Sequence, residues 1–274
     1  MKRLFLTLVS TLAVLVLPGC LQNETTIHLN KDGSGTLVEE TTLGTQMMAM
    51  MGQMSVMGGK EAKDPLAEMF SAEKAKAKAA TLGEGVTFEK SEPLEAGGNR
   101  GARTTYHFTD INKLTISPAE QLQKLSPMAT QVPVTAKHKP IAFSYAAGTL
   151  TITMPKPDKP AADAPKPPAA EAPQMPNLDE NPQAEVMMKQ MLGDMKVAFK
   201  LVIEPGIAET DATHRDGNTI TLMQMEMGKL LEKAGTFKKL SAAPKNDPAA
   251  ALELIQGIDG MKMESKPQVT VKLK

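Results

Sequence analysis

Short segments that alternate apolar and polar residues, each ended by a glycine-bearing turn, recur along this chain and restrict its fold more than any other feature. Thr25-Thr26-Ile27-His28-Leu29-Asn30 alternates, Lys31-Asp32-Gly33-Ser34-Gly35 breaks the pattern, and Thr36-Leu37-Val38-Glu39-Glu40-Thr41 resumes it. A period of two puts successive side chains on opposite faces of an extended strand, and glycines supply the positive φ of a hairpin turn. The same logic repeats downstream. Residues 86–89 and 104–108 flank a segment with Gly97, Gly98 and Gly101, and residues 141–145 and 150–153 flank Gly148. Residues 197–203 precede Pro205-Gly206, residues 214–218 lead into 219–222, and residues 269–273 read as a last strand. Hairpins joined by short glycine turns imply an antiparallel sheet.

Helical signals fall between the hairpins. Residues 65–82 are Ala/Lys-rich, with Asp64 as N-cap and Gly83 as stop. Ser117-Pro118 opens a second candidate with the serine as cap and the proline at the first helical position. Residues 182–195, 225–233 and 248–255 are shorter candidates. Strands interspersed with helices, without regular alternation, predict an α+β fold: an antiparallel sheet of glycine-turn hairpins with several packed helices. Within residues 155–182, nine are Pro and six are Ala, the composition of an extended, disordered spacer. It reads as an insertion between strands of one sheet, with a linker between two domains as the other arrangement. The expected order is a signal segment (1–19), the first part of the α+β domain (20–154), the insertion (155–182) and the second part (183–274).

At the N-terminus, Lys2 and Arg3 precede an apolar run over residues 4–17. Fourteen residues are too few for a transmembrane helix, which needs about 20, and match the h-region of an export signal. The run ends in Leu17-Pro18-Gly19-Cys20, and Cys20 is the single cysteine. Leu17, Gly19 and Cys20 resemble the lipobox of bacterial lipoproteins, with Pro18 departing from the usual small or β-branched residue. That resemblance implies cleavage before Cys20, a diacylglyceryl thioether on its sulfur, and acyl chains such as palmitate anchoring the chain to the cell envelope. Several acyl chains exceed the single-chain case that binds a membrane only marginally. Leu21 stands where an inner-membrane retention signal would resemble Asp, so the outer membrane is favoured where the cell has one, with the domain facing the periplasm or exterior.

The Asp32-Gly33-Ser34-Gly35 hairpin soon after that cysteine, with Ile203-Glu204-Pro205-Gly206 and Asp216-Gly217-Asn218-Thr219-Ile220-Thr221 later on, resembles bacterial lipoproteins of the LppM type. The resemblance implies an α+β domain with a strand, a Pro-Gly corner and a second strand in that order, an envelope location and contact with lipid. It supplies no catalytic residue. Leu222 and Met223 stand where that family often has an aromatic, which implies a differently packed core.

Charge names no partner: 31 basic residues balance 31 acidic ones, leaving no excess with which to grip nucleic acid. Residues 30–35 resemble the start of a calcium loop, but the twelfth position is Thr41, which cannot chelate bidentately. His28, His107, His138 and His214 lack metal-ligand spacing. There is no Gly-x-Ser-x-Gly elbow or phosphate loop. The expectation is a protein that is not an enzyme and carries no cofactor or metal.

Methionine is the compositional anomaly, at 20 residues. Met47, Met48, Met50, Met51, Met54 and Met57 fall within eleven residues, and Met47, Met50, Met51, Met54 and Met57 share a helical face. Met187, Met188, Met191 and Met195 repeat the stripe, and Met223, Met225 and Met227 alternate. Three readings compete. Unbranched Met fills an irregular core, as in a purely structural lipoprotein; it lines an apolar groove for a ligand or protein partner; or its thioethers hold Cu(I) in the segment 47–57. The functional expectation is a lipid-anchored envelope protein that presents a Met-lined surface to an apolar ligand or partner. The other two stand as alternatives.

Overall fold

A computed structural model describes residues 21–57, 65–96, 98–117, 139–155, 193–232 and 258–274. The first hairpin forms as its alternation demands: β1 (Leu21–Leu29) and β2 (Gly35–Leu43) pair antiparallel, with Leu29 opposite Gly35 and Leu21 opposite Leu43. Asp32 closes the turn, its carboxylate accepting from the Ser34 hydroxyl at 2.6 Å and the Ser34 N–H at 3.0 Å. Three helices follow, α1 (Thr45–Met57), α2 (Pro65–Met69) and α3 (Ala72–Leu82). The helix expected over 65–82 is thus broken at Phe70-Ser71. Ser71 restarts it by accepting the Lys74 N–H, as an N-cap serine does.

β3 (Val86–Ala96) and β4 (Asn99–Phe108) make the second hairpin. After a 3₁₀ turn at Ile111–Lys113 come β5 (Ala142–Ala146) and β6 (Thr149–Thr153). The chain continues through β7 (Lys196–Ile203), β8 (Ile207–Thr210), the short β9 (Arg215–Asp216), β10 (Thr219–Glu226), α4 (Met227–Glu232), β11 (Met261–Met263) and β12 (Gln268–Leu273). The large sheet runs β11-β10-β7-β1-β2-β4-β3, with β9 on β10, and the smaller runs β5-β6-β12-β8.

The expected α+β class with several packed helices is overturned. Among the described residues the protein is mostly β, 54% strand against 19% helical, in two sheets of mainly antiparallel strands. Strands extend well past their apolar runs, because polar residues on a solvated sheet face still pair across strands. Glu40 lies opposite Arg103 and accepts from its Nε at 2.6 Å. Pro93 lies inside β3, which proline tolerates because β3 is an edge strand. Met225 and Glu226, expected in a helix, end β10 instead. The candidates at 118 onward, 182–192 and 248–255 lie outside the described residues. One pairing breaks the hairpin logic: β7 runs parallel to β1, Asn23 beside Val197 through Leu29 beside Ile203. The strands that precede and follow residues 155–182 also belong to different sheets, β6 to the small one and β7 to the large.

Both sheets contribute to one core. Ile27, Leu29, Leu37, Phe108, Phe199 and Leu201 from the large sheet pack with Leu150, Ile152, Val269 and Val271 from the small one. At the small sheet's edge the Thr270 N–H donates to Asp211 at 2.7 Å. That bond, with Lys266 nearby, holds the Asp211 carboxyl below the usual carboxylate range. A lowered folded-state pKa contributes stability that is complete above the unfolded value, near 4, and is lost as pH falls through the folded one. Urea midpoints of the wild type and Asp211→Ala should therefore differ at neutral pH and converge under acid.

Candidate functional site

The inward face of the large sheet is apolar at both ends and polar in the middle. The period of two places Leu21, Asn23, Thr25, Ile27 and Leu29 on that face of β1, and Leu37, Glu39, Thr41 and Leu43 on that of β2. Register then sets Asn23 opposite Thr41 and Thr25 opposite Glu39, with Thr104 of β4 beside Glu39. Ile27, Leu29 and Leu37 belong to the main core, while Leu21 and Leu43 join Leu66 in a second, smaller cluster. Between them lies a buried belt of Asn23, Thr25, Glu39, Thr41 and Thr104.

Buried polar groups cost stability unless they are hydrogen-bonded. Here the belt is partnered: Asn23 Nδ2 donates to Thr41 Oγ1 at 2.8 Å, and the Ser91 and Thr104 hydroxyls lie 3.0 Å apart. Lys78 of α3 reaches down to both Glu39 oxygens at 2.7 Å. Its neighbours on the same helix, Ala75 and Ala79, are small and buried, which lets α3 lie close over the belt. Tyr106 packs edge-on against Phe88, ring centres 6.3 Å apart. Burial, and secondarily the Glu39 carboxylate, push the Tyr106 hydroxyl far up, so it stays protonated.

The helices do not close completely over this belt. A cleft of about 190 Å³ remains, with Asn23, Thr41 and Thr104 on its sheet side and Met69, Phe70 and Ala75 on its helix side. Phe70 also lines a second cavity of about 240 Å³, together with Leu66, Pro93 and Leu94. Ligand pockets usually span about 300–1,000 Å³, so each compartment alone suits a small group. The arrangement offers hydrogen bonds at the floor and apolar contact at the helix wall. The Glu39 carboxylate already accepts two bonds from Lys78.

The predicted site residues are only partly placed. Cys20 lies outside the described residues, and Leu21 beside it begins β1. Met47, Met48 and Met51 are half-buried and pack, with Met69, Phe70 and Met195, against Leu21, Leu43 and Leu66. The side chains of Met50, Met54 and Met57, and all of Met187, Met188 and Met191, lie outside the described part. Met223 packs on the main core. Met225 and Met261 pair across β10 and β11, as do Met223 and Met263. Sequence reasoning missed the cleft, although the series Leu37-Glu39-Thr41-Leu43 already places a carboxylate on a core-facing side. His28 pairs with Glu204 at 2.8 Å, at the end of β1 far from the cleft. Among the described residues no group of three or more His, Cys, Asp or Glu could hold a metal ion, and no helix is long and apolar enough to cross a membrane.

A packing role for the helix methionines makes a measurable demand. Replacing Met47 and Met51 with Leu should shift stability by less than about 1.5 kcal/mol per site, since the swap nearly conserves volume. Urea denaturation checks it, and a larger loss would mean that the thioether itself is needed.

No family profile and no curated protein matches the chain. Among solved structures, the chain is similar to the NMR structure of the folded domain of the Mycobacterium tuberculosis LppM protein. Sequence identity is 10%, over 83% of this chain and 89% of that one, with a TM-score of 0.31. At that score the two backbones share too little geometry to carry any residue of one onto the other.

Proposed function

We propose that this chain is a lipid-anchored envelope protein that binds rather than catalyses, holding a small amphipathic ligand in the cleft between α2–α3 and the polar belt. The observation that carries the reading is the composition of that cleft. Asn23, Thr41 and Thr104 offer neutral hydrogen-bonding groups at its floor, and Met69 and Phe70 offer apolar contact at its wall. A binding role fits the Lys78 clamp on Glu39, which leaves the carboxylate committed to structure instead of poised as a base. Of the methionine-lined surface expected from sequence, Met47 and Met51 support the neighbouring cluster instead, and the cleft takes its methionine from Met69, outside that surface.

Native mass spectrometry tests the reading. The chain from residue 21 onward, exported behind a non-lipoprotein signal and incubated with a bacterial polar-lipid extract, should carry a stoichiometric adduct. Thr104→Val removes a hydrogen-bonding group from the cleft floor at nearly constant volume and should cut adduct occupancy at least tenfold while the thermal transition is retained. An adduct indifferent to Thr104→Val, or none on the wild type, would sink the proposal. The anchor has its own check: Cys20→Ser should abolish incorporation of labelled palmitate and move the protein from the membrane to the soluble fraction.

A further inference from the structure

The covalent position of Cys20 fixes more than attachment. Leu21, its immediate neighbour, is already the first residue of β1, 4% exposed and paired with Leu43. No spacer separates the anchoring residue from the sheet. One residue spans at most about 3.6 Å, so an acylated Cys20 would hold the Leu21–Leu43 end of the sheet at the bilayer surface.

What stands at that end is distinctive. α1 begins two residues after Leu43, and its thirteen residues, TQMMAMMGQMSVM, include no charged side chain. One side of it packs, through the half-buried Met47, Met48 and Met51, on the Leu21, Leu43 and Leu66 cluster. Thr45, Ala49 and Gln53 are exposed and share another side at i, i+4 and i+8. A solvent-facing helix ordinarily sets charged or polar residues opposite its packed stripe; here that side offers only small or uncharged groups, which a membrane interface receives without burying a charge. The opposite end of β1 has the contrary character. Lys31 and Asp32 are exposed in the turn there and His28 pairs with Glu204, about 27–30 Å away along a nine-residue strand.

We propose that the domain stands directly on the membrane, with α1 lying in the interface of the leaflet that receives the acyl chains and the Asn30–Ser34 turn pointing away from it. This rests on the reading of Cys20 as the lipidated residue. The occupant of the α1 surface is the lipid bilayer itself. The missing spacer imposes that contact, and the uncharged helix makes it favourable.

Site-directed spin labelling of the full-length, lipidated protein in vesicles of phosphatidylethanolamine and phosphatidylglycerol (3:1) tests it. Acylation leaves no free thiol, so Ala49→Cys, Gln53→Cys and Lys31→Cys each introduce one labelling position, all at exposed sites. Oxygen, which partitions into lipid, should broaden the spectra at positions 49 and 53 several-fold more, relative to a water-soluble nickel reagent, than at position 31. Equal, water-like accessibility at 49, 53 and 31 in acylated protein would overturn the orientation. Intact mass reports acylation separately: an unmodified Cys20 removes the lipidation reading itself, before any spectrum is compared.

Discussion

Gly35→Ala should destabilise the fold by roughly 3 kcal/mol, at the upper end of what overpacking costs. Gly35 opens β2 opposite Leu29 on one side and Phe108 on the other. A Cβ there would drive into the backbone carbonyl oxygen of His28 and come within 2.6 Å of the Phe108 ring. Neither obstacle can yield cheaply. The His28 carbonyl is main chain inside the β1–β2 pair, and Phe108 is fully buried in the core that the two sheets share. Gly217→Ala is the informative control, because nothing lies within 4 Å of its Cβ position while its φ is +58°. It should lose only about 1–2 kcal/mol, the left-handed penalty. Urea unfolding with an unchanged m-value separates the two costs, and a Gly35 variant no worse than the Gly217 one would refute the close-approach argument.

That contrast marks how far the sequence could be read. Gly33 and Gly35 both looked like suppliers of positive φ, but only Gly33 does this, at +88°. Gly35 is needed for space, a demand that arises only once β1, β2 and β4 are side by side. The same division runs through the fold. Local alternation located β1, β2, β4, β6 and β7, because period-two patterning is written within each strand. The parallel β1–β7 pair, the short β8 and β11, and the shift in β10 register between Thr221 and Met223 depend on partners far along the chain. Helix content was overestimated for a related reason: Met225 and Glu226 suit a helix taken alone, but β10 continues through them along Val197 and Lys196.

The candidate site was half legible. Glu39 and Thr41 sit in a series whose outer members, Leu37 and Leu43, are apolar, so their inward orientation was visible in principle. Only the register of β1 against β2 brings Asn23 to Thr41, and only the docking of α3 brings Lys78 to Glu39. The methionines misled by abundance. At least three of them, Met47, Met48 and Met51, pack against leucines, whereas the cleft draws on Met69, which belongs to no stripe.

Lys78→Met should cost about 2 kcal/mol. Glu39 has a side chain only 10% exposed, and both oxygens of its carboxylate accept from Lys78. Removing the cation leaves that charge buried without its counter-ion, a change worth about 3–5 kcal/mol in a closed interior. The Lys78 side chain is 39% exposed, so water partly replaces it and the loss is correspondingly smaller. Adding Glu39→Leu should recover most of the stability, because an apolar pair of similar volume avoids the desolvation that the ion pair incurs. The cycle built from the wild type, both single variants and the double variant then gives the coupling directly. It also separates two reasons for keeping a polar belt inside a sheet with apolar ends. If the belt serves folding alone, the double variant keeps both stability and the lipid-extract adduct. If it serves the ligand, the double variant folds as well as the wild type and binds at least tenfold more weakly, because a leucine and a methionine replace the ion pair beside Asn23, Thr41 and Thr104. The second outcome is the expected one: folding alone would have been as well served by leucines running from Leu37 to Leu43.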